Sequence, residues 1–196
     1  MYIRDFFVNN NTRGEQMKRI VIILSCVFLL VGCSFTNSPK KAVDELFKKY
    51  QSLDEAVLND LELTSESSVL SGSEQRSEYM KAMKMQYSDL KYEITNEEIN
   101  GDEAVVTAKI SVYDFYKVQK QANEYLNAHM DEFMTNNAFD NNKFMSYKIK
   151  QMQETSERVE YTINIDLEKK DNEWKADAFD RTTLEKIHGT YNYEQN

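Results

Sequence analysis

The pattern of apolar and polar positions changes period four times along this chain, and each change predicts a new element. From Pro39 onward, apolar residues recur at Val43, Leu46, Phe47, Tyr50, Leu53, Val57, Leu58 and Leu61. That spacing predicts one amphipathic helix from Pro39 to about Leu63, with Ser38 as its N-cap and Pro39 in its first turn. The Ser-rich stretch 64–73 breaks the pattern, and Ser71 and Glu74 have the spacing of a capping box. A second helix follows, with Tyr79, Met83, Tyr87 and Leu90 on one stripe. The period then drops to two at Leu90, Tyr92 and Ile94. Asn100-Gly101 signals a hairpin turn, and Val106, Ala108, Ile110 and Val112 alternate on the return strand.

Between Asp114 and Met134 the helical period returns through Val118, Ala122, Tyr125, Leu126, His129, Met130 and Phe133. Residues 136–142 read as a loop. Residues 143–153 fit a helix through Met145, Ile149 and Met152 and a strand through Met145, Tyr147 and Ile149; helix is the expectation adopted. Val159, Tyr161, Ile163, Ile165 and Leu167 alternate without a break, the clearest strand in the chain. After a turn at 169–173, Trp174, Ala176 and Ala178 continue on a partner strand, with Trp174 expected against the first helix near Phe47 or Tyr50. A short helix over 180–188 ends at Gly189. Four antiparallel strands with one apolar face need helices packed on that face, so the fold class is α+β in two layers.

The N-terminus follows different rules. Met17-Lys18-Arg19 is a basic start, and Ile20 to Val31 is an uncharged, mostly apolar run of twelve residues. A spanning helix needs ~20 residues, so the run fits a secretory signal instead. It ends at Leu30-Val31-Gly32-Cys33, which resembles the lipobox of bacterial lipoproteins. The resemblance implies that diacylglycerol is placed on the Cys33 thiol and that a peptidase cuts between Gly32 and Cys33. The implied organisation is a signal peptide over 1–32, a lipidated tether over 33–38 and one domain over 39–196. The implied partner is the membrane, on the outer face of the cell. Residues 1–16 put Asp5 and Glu15 ahead of the signal, where negative charge is unhelpful, which points to Met17 as the true start.

Composition narrows the functional classes. Of 196 residues, 41% are hydrophobic and 29% charged, values of a folded domain. Removal of residues 1–32, which carry Arg4, Arg13, Lys18 and Arg19 against Asp5 and Glu15, takes the net charge from −9 to −11. Such acidity repels a phosphate backbone and argues against a nucleic-acid partner. The basic cluster Lys40, Lys41, Lys48 and Lys49 beside the anchor reads as a solvated helix face, with anionic lipid heads as the alternative. Cys26 would leave with the signal and Cys33 would carry lipid, so no disulfide, Cys-type metal site or cofactor is expected. Abundant Lys, Asn, Ile, Tyr and Phe beside one Pro and five Gly fit a low-GC, Gram-positive source.

The order of helices and hairpins resembles the cystatin-like cone of nuclear transport factor 2-like domains. There a curved four-stranded sheet wraps a long first helix and leaves a pocket at its mouth. The tail Glu173-Trp174-Lys175-Ala176-Asp177, with Leu184, Lys186-Ile187-His188-Gly189 and Tyr191, also resembles the ends of small Firmicutes lipoproteins of unknown function. The cone resemblance implies a domain that binds a small ligand or another envelope protein without catalysis. The alternative is a cone-fold enzyme of isomerase or dehydratase type, with Asp114 and His129 as a carboxylate–imidazole pair in the pocket. Against the pair stands a simpler reading, in which Asp114 caps the following helix and His129 is half-buried. A third reading makes the signal tail from Cys26 to Gly32 a released peptide pheromone. Tyr79, Tyr87, Tyr92, Tyr113, Tyr116 and Tyr125 read as core or as pocket lining. His188, before Gly189, reads as a cation at a helix C-terminus.

Overall fold

The computed structural model describes residues 38–66 and 72–195, so the signal, the lipobox, Cys33 and Ser71 lie outside the described residues. Helix α1 (Pro39–Gln51) starts as its sequence predicts: the Ser38 side chain accepts from the Lys41 amide at 3.2 Å, and Pro39 follows. It does not continue to Leu63. Leu53 takes a left-handed conformation at φ 55°, and a new helix, α2 (Glu55–Glu66), begins beyond it. Asp54 explains the break, because its carboxylate accepts from the Ala56 amide and so caps a new start. The apolar period runs through this break unchanged, which is why the sequence read as one helix.

Helix α3 (Ser73–Ser88) has Gly72 at its N-cap with no side-chain cap. Strands β1 (Lys91–Asn100) and β2 (Glu103–Tyr113) form the expected hairpin about Gly101, whose φ of 66° suits the turn. A bulge between Ile94 and Asn96 shifts the β1 register, so strict alternation stops there. Helix α4 (Phe115–Ala128) is shorter than its apolar period. Its last turns become a 3₁₀ segment, Met130–Phe133, and a two-residue hairpin, β3 (Met134–Thr135) with β4 (Ala138–Phe139), occupies the expected loop. Asn136 and Asn137 make that turn with positive φ.

Residues 143–153 are helical, within α5 (Asn141–Glu154), because Asp140 caps it by accepting from the Asn142 and Lys143 amides. Strand β5 (Arg158–Lys170) buries Tyr161, Ile163, Ile165 and Leu167 on one face, as the alternation predicts. Strand β6 (Glu173–Ala176) stops before Ala178, and α6 (Arg181–Ile187) closes the chain with Asp180 as N-cap.

The sheet order is β1-β2-β5-β6, all antiparallel: two hairpins joined edge to edge through β2 and β5. The α+β class with a four-stranded antiparallel sheet on helices therefore holds, with six α-helices among the described residues. Helix α1 lies on the inner face, packed on β1, β2 and β6. Val43, Phe47 and Tyr50 of α1 share one core with Val106, Ala108, Ile110, Ile163, Ile165 and Trp174. Trp174 is thus buried in the α1 layer, as expected of a large ring beside small strand partners. A second, smaller cluster of Ala122, Phe133 and Phe144 sits apart on α4 and α5. No helix among the described residues is long and apolar enough to cross a membrane.

Candidate functional site

Asp114 and His129 do not meet. They cap opposite ends of α4, so ~1.5 Å of rise per residue separates them by about 22 Å. Asp114 is buried and fully used. Its Oδ1 accepts from the Lys117 amide at 2.9 Å, and its Oδ2 accepts from the Tyr193 hydroxyl at 2.8 Å. Burial, with the Asp114 bond, pushes the Tyr193 phenol up to about 12. His129 lies at the surface, stacked on Tyr125 with ring centroids 4.2 Å apart and 3.6 Å from Glu132. The continuous helical period had placed it on the apolar stripe; the helix ends at Ala128 and turns it outward.

The histidine that packs against the core is His188, itself half-buried. It is the C-cap of α6, but it is no surface cation. Burial pushes its imidazole down to about 4, so at neutral pH it carries no charge to offer the helix end. Tyr87, itself buried and held protonated by desolvation, places its hydroxyl 2.8 Å from Nε2 of His188. The phenol and the neutral imidazole share one hydrogen bond, whose direction follows the ring tautomer. Tyr50 meets the Tyr87 ring edge-on at 5.0 Å, and Asp60, its carboxyl raised by burial, lies close enough to act on both phenols.

Gln86 completes this junction. It is buried, its Nε2 donates to the carbonyls of Tyr113 and His188, and its Oε1 accepts from the Tyr113 amide. One amide thus stitches the end of β2 to the end of α6. Gly189 fits only as glycine: its φ is 70°, and a Cβ there would come 2.0 Å from the Tyr113 carbonyl oxygen. Its own carbonyl accepts from the Tyr116 amide at 2.7 Å. Sequence reading found Gly189 as a helix stop and missed Gln86. An isolated glutamine on a helix gives no signal until its partners, 27 and 102 residues away, are in place.

A concave surface lies elsewhere. A cleft of about 770 Å³ opens between the first turns of α3 and the length of α5. Its lining mixes polar and apolar surface, with Glu74, Gln75, Ser146, Lys150 and Gln153 beside Ile149. Gln75 donates to the Asn142 carbonyl and to Ser146, and Gln153 donates to the Glu78 carbonyl and carboxylate. Lys81 bonds the same carboxylate and, with Gln153, holds it below the usual range. None of the six tyrosines lines this cleft; Tyr87 is core, and Tyr92 reaches Asp44 of α1 at 2.7 Å. No group of three or more metal-ligating side chains gathers among the described residues.

No known family profile matches the chain, and no curated protein matches it. A crystal structure of a Bacillus subtilis chain, provisionally described as a lipoprotein, is 15% identical over 89% of this chain and 55% of that one. The TM-score is 0.43, and this chain spans about half the length of that protein. An overlap that loose carries no argument about fold or function.

Proposed function

We propose that this chain is an extracytoplasmic lipoprotein, anchored through lipid on Cys33, whose α+β domain is a non-catalytic binding module. The observation that carries the anchor is the run Leu30-Val31-Gly32-Cys33 directly after a basic start and a short apolar stretch. Two acyl chains on one cysteine bury many CH₂ groups at ~0.8 kcal/mol each, enough for stable anchoring. A folded domain opening at Ser38, five residues past the cysteine, suits that arrangement.

The binding reading rests on how the polar side chains are used. Asp114, Gln86, Tyr87 and His188 satisfy one another or the backbone and join secondary elements. The enzyme reading needs Asp114 and His129 within reach of one substrate, and a whole helix lies between them. The cleft between α3 and α5 offers carboxylates, amides and hydroxyls, the complement of a polar ligand such as a peptide.

The anchor is tested by labelling cells with a fatty-acid analogue. Wild-type protein should take the label, and Cys33→Ala should remain an unlabelled, uncut precursor. Equal labelling of the two defeats the reading.

A further inference from the structure

We propose that the chain end Asn192–Glu194 is a strap over a binding site for a small primary ammonium ligand, with Asp114 and Tyr161 as the groups that hold it. The site is separate from the cleft between α3 and α5, and it stands whether or not Cys33 carries lipid.

Two buried polar groups on the inner face of the sheet lack what burial demands. Asp114 is 5% exposed, and its oxygens take only neutral donors, the Lys117 amide and the Tyr193 hydroxyl. A carboxylate shielded from water is normally paired with a cation. Among the described residues none pairs with it; Lys117, in the first turn of α4, gives its ammonium to Glu157 instead. Tyr161 is 8% exposed, and its hydroxyl is buried with no hydrogen-bond partner among the described residues. An orphan of that kind costs stability and calls for a reason.

The two groups face one space. Tyr161 pairs with Ile110 and Val159 with Val112 on the inner face, and Asp114 holds the next inner position beyond Val112. The Tyr161 hydroxyl lies close enough to Asp114, Tyr193 and Tyr191 for each to act on it electrostatically. Tyr191 sets its ring edge-on to Tyr161 at 5.7 Å, and Tyr193 reaches Asp114 at 2.8 Å. The Tyr191 amide is fixed to the Glu185 carbonyl at 3.2 Å, so the strap begins beyond it.

The strap is lightly held. Besides the Tyr193–Asp114 bond, Tyr116 donates to Glu194 at 3.3 Å and meets the Tyr193 ring edge-on at 4.9 Å. Lys120 pairs with Glu194 at 2.6 Å, but both side chains are about half exposed, and such pairs add little. Withdrawal of Tyr193 frees Oδ2 of Asp114 and opens a space of one phenol ring beside Tyr116, Tyr161 and Tyr191. A primary ammonium suits that space. Its charge answers the carboxylate, one N–H replaces the phenol O–H, a second reaches the Tyr161 oxygen, and the rings attract cations. Tyr193 is thus a built-in competitor, and it lowers the apparent affinity by the fraction of time the strap is down.

The full chain, purified in detergent, is titrated in a calorimeter with propylammonium chloride, which replaces sodium chloride at fixed ionic strength. Tetramethylammonium chloride is the cation without an N–H. Propylammonium should bind and tetramethylammonium should not. Tyr193→Phe removes the competing hydroxyl and should tighten propylammonium about tenfold. Glu194→Ala, outside the site, should tighten it by loosening the strap. Asp114→Asn keeps the helix cap and should abolish binding. Tyr161→Phe should weaken binding about fivefold while the melting point holds or rises, because the lost hydroxyl had no partner. Unchanged affinity in Tyr161→Phe, or equal affinity for the two cations, overturns the site. Binding that Tyr193→Phe and Glu194→Ala both leave unaltered overturns the strap. Tyr193→Phe protein that takes up no propylammonium overturns the two together.

Discussion

The main core and the aromatic lobe of this domain bury similar side chains by opposite means. The main core takes residues from three strands and all six described helices, with Tyr92 and Ile94 of β1 packed against it, and it joins positions such as Phe47 and Ile165 that are far apart in the chain. The lobe takes Ala122, Phe133 and Phe144, with Tyr125, Leu126 and Tyr147 around them, from one continuous stretch. Its rings compensate by geometry: Tyr125 stacks on Tyr147 at 5.0 Å, and Phe133 meets Phe144 edge-on at 5.4 Å. Lys148 lies over the Phe144 ring at 4.8 Å. The lobe still leaves Met130 and Phe139 nearly half exposed. A core closed by distant pairings is cooperative with the whole fold. One closed by local contacts can open by itself.

Truncation of one large ring in each region gives the widest separation. Trp174→Ala removes a buried ring from the α1 layer and should cost ~3–5 kcal/mol, a large part of a domain's stability. Its effect should appear as a steep fall in the global melting point. Phe133→Ala should cost less, about 2 kcal/mol, because the lobe has solvent on one side and can collapse. Hydrogen exchange should then quicken in 115–150 while β2 and β5 stay protected. Equal global destabilisation by the two variants would make the lobe part of the main core.

Acid should act on the junction next. The folded His188 titrates near 4, below the ordinary imidazole value of 6.5. Above pH 6.5 both folded and unfolded forms are neutral, and the junction contributes in full. As pH falls from 6.5 to 4, the unfolded chain takes a proton that the folded chain refuses, so stability drops by at most about 3 kcal/mol. Below 4 this group adds no further loss. The comparison is denaturant unfolding of wild type and His188→Asn across that window. Parallel pH curves for the two would mean that the imidazole is not held neutral by the fold.

The smallest contrast sets the two residues of the abandoned pair against each other. Asp114→Ala removes a helix cap and the partner of Tyr193 and should cost ~1–2 kcal/mol. His129→Ala removes an exposed ring stacked on Tyr125 and should stay within about 0.5 kcal/mol. A His129 effect as large as that of Asp114 would place the lobe surface under unexpected load.

Local signals in the sequence were read well where they depend on neighbours along the chain. The unbroken alternation from Val159 to Leu167, the Asn100-Gly101 turn, the Ser38-Pro39 start and the Gly189 stop each reflect backbone geometry set by a few adjacent residues. They were enough for the order of elements and the α+β class. The same periodicity failed at Leu53 and at Ala128. An apolar stripe can continue through a break when the next element packs on the same core, so period alone cannot mark the end.

Of the candidate site, the sequence determined which residues carry chemistry; the fold decided which of them share a space. Asp114 continues the inward parity of Val106 to Val112 and His129 stands on the helical stripe that follows, so the two look close in function, and the rigid rise of α4 drives them apart. Tyr87 and His188 stand 101 residues apart and look unrelated, yet α3 and the chain end bring them to 2.8 Å. The anchor proposed at Cys33 rests wholly on the sequence, since the enzymes that its motif implies act on a short linear segment. The neutral state of His188 belongs wholly to the tertiary structure, because desolvation exists only once the surrounding side chains have closed over the ring.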